Sequence, residues 1–491
     1  MIWKTPSLQA QGVDSMLAHS LKRYLYTWPD HDLRTNPRWR FENGGGLLVR
    51  DLPESPAELA EDSRWPAFFP SPMCLVTTTD GSGAGLEKVV GASIVNRFPY
   101  VMALSFCTRP LSARHHPRRT FTEMLEKGGC VAVQYLPPGR SLDRVLDVIH
   151  SGAEKDTRGR IAATGLPTRK AVSNGAPVFD EAHLIYEARL VKPDKDFSGE
   201  PIFPEAWIDL GSHRVYFLEI NAIQLRRDIA EGGSQIVWRS LPAWRPEGEI
   251  ELQTAPDTGI DTESRYQKGY TPHYRFPSAG TIAFEADAIQ DGMAVKHLPP
   301  LPEDQVEVDN DRARWPCFFP SSAGMITSWA DDGVANLMPC GSTTILSRHP
   351  LIIAPCISYA AINERYAPRA SLEILRNTGK FGCGVPFIHD AVIDAIRYAG
   401  NTSISVDPRK VEQTLLKVEK RKWAPLFPDL PIHFDCAIKG EVRLGTHIMF
   451  LGEVRRIRVR EDVTPENSME WSPWAAVEPA QPDASAGQNP D

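Results

Sequence analysis

Residues 64–71 read RWPAFFPS, and residues 314–321 read RWPCFFPS. The phrase recurs 250 positions on with one change, Ala67 against Cys317. Working outward, the first copy is followed by MCLVTTTDGSGAG (73–85) and the second by AGMITSWADDGVAN (323–336). Each is a β-branched, apolar run ending at an Asp-Gly pair, Asp80-Gly81 or Asp332-Gly333, which predicts a strand closed by a tight turn. Thr77 and Thr327 keep the same offset.

Two further matches follow in the same order. PRRTFTEMLEKGG (117–129) answers to PRASLEILRNTGK (368–380), and GSHRVYFLEI (211–220) to GTHIMFLGEV (445–454). The first pair predicts helices with Thr120 and Ser371 as N-caps, Glu123 completing a capping box, and Gly128 and Gly379 at their ends. The second pair predicts a strand entered through Gly-[Ser/Thr]-His. A period near 250 residues is far beyond the ~20–50 of a solenoid, so two whole domains were copied. A chain of 491 residues suits this, at ~100–200 residues per domain.

The expected organisation is an N-terminal helical arm (1–38), lobe one (39–243), a linker (244–272), lobe two (273–463) and a disordered tail (464–491). In the arm, residues 13–25 show helical apolar spacing. The linker is polar and aperiodic. Short strands dominate both lobes, with helices at 120–127, 141–150, 371–378 and 388–398. The fold class is therefore mainly β with helical additions, as a closed sheet.

Composition excludes several classes. A net charge of -8 is wrong for a general nucleic-acid binder. No apolar run reaches the ~18 residues of a membrane helix, and MIWKTPSLQAQG has no secretory core. Eight scattered cysteines without a C-x-x-C pair predict reduced, buried thiols in a cytoplasmic protein. The GSGAG of residues 81–85 precedes no clear helix start, so no dinucleotide fold is expected. His115-His116 lacks ligand spacing, and no metal site is expected.

With these features in order, the chain resembles the flavin reductase-like family, whose members fold as FMN-binding split β-barrels. The likeness rests on the entry strands (Val76-Thr77-Thr78, Ile326-Thr327-Ser328), the Asp-Gly turns, and NLMPCGSTTILSRHPLIIAPCIS (336–358). It rests too on a basic residue two before a Thr or Ser helix start, and on the His-to-Glu strands His213–Glu219 and His447–Glu453. The family's usual Pro-Arg-Pro before the first strand is missing: Pro70-Ser71-Pro72 and Pro320-Ser321-Ser322 stand there, with Arg64 and Arg314 as substitutes.

The resemblance implies two FMN-binding split-barrel domains forming an intramolecular pseudo-dimer, because family members are usually homodimers with FMN at the interface; a further homodimer is compatible. It implies FMN, or FAD in its place, with NAD(P)H as reductant and a small-molecule substrate. Arg118, Thr120, Arg369 and Ser371 would take the phosphate, since free N–H groups at a helix start favour an anion. Thr77, Thr78, Ser93, Asn96, Thr327, Asn336, Ser342 and Thr343 would line the flavin and its ribityl chain. Ser403 would reach it from a loop, with Arg158, Arg160 and Lys410 as further loop candidates. His213 and His447 would be the catalytic pair. Each position also has an ordinary structural reading, as cap, strand end or solvated loop. The function expected is a flavin reductase-like oxidoreductase. The alternatives are a non-catalytic flavin-binding or scaffold protein, or a flavin enzyme acting on another small molecule.

Overall fold

The computed structural model describes residues 24–36, 39–53, 69–96, 99–109, 118–151, 156–191, 206–239, 241–259, 286–298, 323–330, 333–359 and 369–480. The arm helix over 13–23, most of both aromatic phrases (64–68 and 314–321), His115-His116 and the linker beyond 259 lie outside these residues.

The chain is mostly β. β1 (Tyr26–Trp28) comes first, and β2 (Glu42–Asn43) and β3 (Leu47–Asp51) open lobe one. Lobe one contains β4 (Cys74–Thr79), β5 (Ala84–Val89), β6 (Gly91–Asn96), β7 (Val101–Cys107), α1 (Arg119–Gly128), β8 (Cys130–Tyr135), α2 (Arg140–Ser151) and α3 (Thr157–Thr164). It continues with β9 (Thr168–Lys170), β10 (Pro177–Phe179), β11 (Leu184–Leu190), β12 (Trp207–Leu210), β13 (His213–Arg226), α4 (Arg227–Ala230) and β14 (Ser234–Arg239). After the linker come β15 (Ala288–Gln290) and β16 (Met293–His297). Lobe two holds β17 (Gly324–Trp329), β18 (Ala335–Cys340), β19 (Thr343–Arg348), β20 (Leu351–Ser358), α5 (Ser371–Thr378), β21 (Lys380–Val385), α6 (Asp390–Asn401), β22 (Ile432–Arg443) and β23 (His447–Arg460). A last strand, β24 (Met469–Pro479), follows.

Pairing in the two lobes follows one plan. In lobe one, β5 pairs β4, β4 pairs β8, β8 pairs β11, β11 pairs β13, β13 pairs β7, and β7 pairs β6. Only Val90 separates β5 from β6, so the bent pair closes the circuit. Lobe two repeats it as β18, β17, β21, β22, β23, β20 and β19. The Asp80-Gly81 turn joins β4 to β5 with Gly81 at φ 83 and Asp80 Oδ1 accepting from Ser82 N at 2.9 Å.

The predicted helices are present, with corrected caps. In α1, Phe121, Met124 and Leu125 are buried at helical spacing; in α2, Leu142, Val145, Leu146 and Ile149 are. Thr120 and Ser371 are not N-caps. Arg118 and Ala370 hold those positions without a side-chain cap bond, so the Glu123 capping box does not form. Gly129 at φ 69, rather than Gly128, ends α1, whereas Gly379 ends α5 at φ 63 as expected.

Two hairpins cross between the lobes. β3, at the start of lobe one, pairs with the far half of β23, Leu47 opposite Arg460. β16, at the start of lobe two, pairs with the far half of β13, Met293 opposite Arg226. Each lobe thus gives a hairpin to the other's longest strand. Part of the expected linker is packed: Trp244 is buried against Phe387 in lobe two. The tail is ordered through Pro479, because β24 bridges β1 and β14. Within the tail expected to be disordered, Trp471 and Ala475 are buried.

A seam of buried side chains joins the lobes: Val101, Ala103, Val215 and Phe217 meet Ile352, Ala354 and Met449. Phe69, the last aromatic of the first phrase, is buried in the lobe-two core. Polar contacts fix the seam. Asn96 Oδ1 accepts from Thr446 N at 3.0 Å, Thr446 Oγ1 at 2.9 Å and His447 N at 3.0 Å. In the mirror position, His349 O accepts from Ser212 N at 2.9 Å. Gly211, at φ 60, packs so closely on His349 O that a Cβ would overlap it. Asn96→Ala would leave buried donors without an acceptor, at ~1–3 kcal/mol for each one that stays unsatisfied. Urea unfolding should show a loss of about 2–4 kcal/mol; a loss under about 0.5 kcal/mol, the size of a neutral surface change, would contradict the clamp.

Candidate functional site

The site in lobe two grows from three chain segments. Strand pairing sets Asn336 of β18 opposite Ser328 of β17. Its Nδ2 donates to Ser371 Oγ at 2.9 Å and Ser328 Oγ at 3.4 Å. Asn336 is 1% exposed, and among the described residues its Oδ1 accepts no hydrogen bond. Buried amide oxygens ordinarily accept a donor, so this one has room for another.

Arg369 enters from the end of β20, where its N–H donates to Ser358 O at 3.1 Å. Ser358 lies directly across from His447. Ser371, two residues on, begins α5, so Arg369, Ser371 and Asn336 converge at that helix start.

The third segment is the loop after α6. Asp407 organises it, accepting from Tyr398 Oη at 2.6 Å and Arg409 N at 2.9 Å. Lys410 follows, 3% exposed, its Nζ donating to Thr402 O at 3.2 Å. Among the described residues no carboxylate comes within ion-pair distance of Nζ. Burial pushes its pKa down to about 7, the Arg369 guanidinium adds to this, and Asp407 opposes it. Two neighbouring cations, one deeply buried, suit an anion, and the buried Asn336 Oδ1 suits a hydroxyl or N–H donor.

His447 is 8% exposed and begins β23, with Nδ1 2.9 Å from Thr446 Oγ1. His213 repeats this with Ser212 Oγ at 2.7 Å, and lies across from Cys107, whose carbonyl accepts from Arg118 N at 2.8 Å. In both lobes the preceding hydroxyl engages Nδ1 and so holds the ring.

Lobe one shares the frame but not the chemistry. Register sets Gly85 where lobe two has Asn336, and Glu87 where it has Met338. Arg118 Nε lies 3.3 Å from Glu87 Oε2, and Arg160 Nη1 contacts Glu87 Oε1. Glu87 is 2% exposed; burial raises its pKa while both guanidiniums oppose that. Thr157 Oγ1 donates to Leu86 O and accepts from Leu86 N, each at 2.9 Å. Thr120 stands half-buried in the first turn of α1.

The other candidates are held elsewhere. Thr77 Oγ1 donates to Pro177 O at 2.5 Å, Thr78 Oγ1 to Cys130 O at 2.7 Å, Thr327 Oγ1 to Pro425 O at 2.8 Å and Thr343 Oγ1 to Cys340 O at 2.8 Å. Their hydroxyl protons serve the fold, as does that of Ser93, 3.4 Å from Ile94 O. Asn96 is the interlobe clamp. Ser342 offers its carbonyl to Cys356 N. Ser403 Oγ lies 2.8 Å from Ser405 Oγ on the Lys410 loop. Arg158 pairs with Asp80 and Asp156.

Glu87 escaped the sequence reading, although alignment of the two strands sets a charge where the repeat has methionine. Lys410 was no more than one loop cation among several; nothing local in sequence reports its burial. Among the described residues, no cluster of metal-ligating side chains occurs, and no helix is long and apolar enough to cross a membrane.

Residues 317–473 match the family model described as "Flavin reductase like domain". No curated protein matches the chain. Among solved structures, an FMN-binding protein from Thermus thermophilus with bound p-hydroxybenzaldehyde is 15% identical, over 34% of this chain and 91% of that one, at a TM-score of 0.26. A 2-nitrobenzoate 2-nitroreductase from Pseudomonas fluorescens is 14% identical, over 30% and 68%, at 0.25. The styrene monooxygenase flavin reductase of Pseudomonas putida S12 is 14% identical, over 29% and 80%, at 0.24.

The Lys410 environment has a measurable sign. Its folded pKa, about 7, lies below the ordinary 10.5, so between those values the unfolded chain holds the extra proton. Its contribution to stability therefore rises with pH across that window. Lys410→Met removes the effect: its melting temperature should exceed that of the parent most at pH 7, with the gap narrowing towards pH 10. A gap constant with pH would contradict the buried ammonium.

Proposed function

With residues 317–473 a flavin reductase-like domain, we propose that the chain binds FMN in lobe two and acts as a flavin-dependent oxidoreductase reduced by NAD(P)H. The observation that carries this reading is the buried Lys410 with the Arg369 charge near it, together with Asn336, whose Nδ2 meets Ser371 at the start of α5 and whose Oδ1 accepts no hydrogen bond among the described residues. Lys410, Arg369 and the first N–H groups of α5 would hold a terminal phosphate. Asn336 Oδ1 would accept from a ribityl hydroxyl or a ring N–H. FMN suits this set better than FAD, because a terminal phosphate carries the charge that Lys410 and Arg369 balance.

When bound, the flavin supplies hydride chemistry between a nicotinamide and an acceptor, and the protein orients the partners. His447 is the group on this chain suited to orientation. Thr446 Oγ1 fixes its ring and Asn96 of lobe one fixes its backbone. Lobe one thereby stands to lobe two as a second subunit would, which supports reading the pair as a tethered pseudo-dimer. Tethering keeps such an association intramolecular, at an effective concentration near ~1 mM for a suitable linker.

Purified protein should take up FMN with the absorbance of oxidised flavin, and NADH or NADPH should bleach it. Arg369→Ala and Lys410→Met should each weaken FMN binding roughly tenfold to a hundredfold, the worth of one charge-assisted bond at ~1.5–3 kcal/mol. Affinity in the parent should fall as pH rises above 7, as the Lys410 ammonium deprotonates. A protein that stays colourless with excess FMN would end the flavin reading. Colour without bleaching would favour a flavin binder over a nicotinamide-dependent enzyme.

A further inference from the structure

The flavin reading leaves the number of ligands per chain open, and the asymmetry between the lobes bears on it. Resting on that reading, we infer that lobe one is closed to a phosphorylated ligand by its own Glu87, whose carboxylate stands between Arg118 and Arg160 as an internal anion. The chain then binds one flavin, in lobe two.

The correspondence between the lobes is fixed by backbone contacts. Arg118 and Arg369 each donate N–H to the last residue of the preceding strand, Cys107 or Ser358, at 2.8 and 3.1 Å. Those residues lie opposite His213 and His447. From this common origin the two arginines meet different surroundings. Arg369 neighbours the buried Lys410. Arg118 meets Glu87, which is 2% exposed and is also contacted by Arg160, 5% exposed. Lys88, whose pKa burial lowers, adds a third basic group, with Nζ 2.7 Å from His150 Nε2.

Space is closed too. A Cβ on Gly85, at the register position of Asn336, would lie 3.1 Å from Phe121 Cδ2, 3.3 Å from Met124 Sδ and 3.4 Å from Thr157 Cγ2. Side chains of α1 and α3 occupy the place where lobe two presents its amide. A phosphate entering lobe one would face a carboxylate with no route to relax away from it. In lobe two the corresponding strand position is Met338, which carries no charge.

Two measurements test this on the full chain. Calorimetric titration with FMN should give one site per chain, weakened at least tenfold by Arg369→Ala, with Lys410→Met as the second variant should the first fail to fold. Two sites per chain, or one that keeps its affinity in both variants, would overturn the single-site inference and leave the flavin reading standing. No binding at all would overturn both. Independently of flavin, Glu87→Gln removes the carboxylate that Arg118 and Arg160 share. Its melting temperature should fall, and inorganic phosphate should raise it more than in the parent at matched ionic strength. An equal rise in both proteins would show that Glu87 does not fill an anion's place.

Discussion

Each lobe's longest strand outruns its own barrel. β13 and β23 each span 14 residues, and within the lobes their second halves are paired on one side only, by β11 and β22. The other side of each second half would present bare N–H and C=O groups, an edge that folded proteins must cover. Here the cover comes from across the molecule: β16 lies along β13 and β3 along β23. Neither sheet is complete without a hairpin from the far side of the chain, so the lobes cannot be pulled apart as beads on a string. The buried seam of Val101, Val215 and Phe217 against Ile352 and Met449 then joins surfaces that the exchange already holds together.

Within that shared frame the lobes differ in charge. Both place an arginine at the same backbone position, yet the lobe-one guanidinium lies against Glu87 while the lobe-two guanidinium adds to the positive potential around Lys410. A buried ammonium is costly to keep, and only Asp407 offsets the burial and the Arg369 charge that lower the Lys410 pKa. The interlobe contact follows the same asymmetry: a side-chain amide with three donors grips the His447 turn, and a single backbone carbonyl meets the turn at Ser212.

Much of this was legible in sequence because local chemistry decides it. The four predicted helices, the Asp80-Gly81 turn and the paired Gly-[Ser/Thr]-His strands depend on short-range periodicity and turn residues, and they stand where expected. The helix caps were misassigned because a Thr or Ser at the start of an apolar run serves equally well one or two residues inside the helix. The exchanged hairpins were invisible, since Leu47–Asp51 reads as a strand without saying which neighbour it joins. Among the site candidates, Asn336, Arg369 and Ser371 are brought together. Thr77, Thr78, Thr327 and Thr343 are not, because a hydroxyl on a buried strand finds the nearest carbonyl, and sequence does not reveal which carbonyl that is. Lys410 and Glu87 show the same limit from the other side: a charge announces itself in sequence, but its burial depends on what the rest of the chain lays over it.

The last strand carries a consequence for how the molecule is made. β24 joins β1, near the start of the chain, to β14 in its middle, and Ala475 packs into the lobe-one core. A ribosome releases these segments in order, so lobe one emerges early but waits for residues beyond 469 before its outer layer can close. Until β24 has been made, that unfinished face stays open to chaperones or to neighbouring nascent chains.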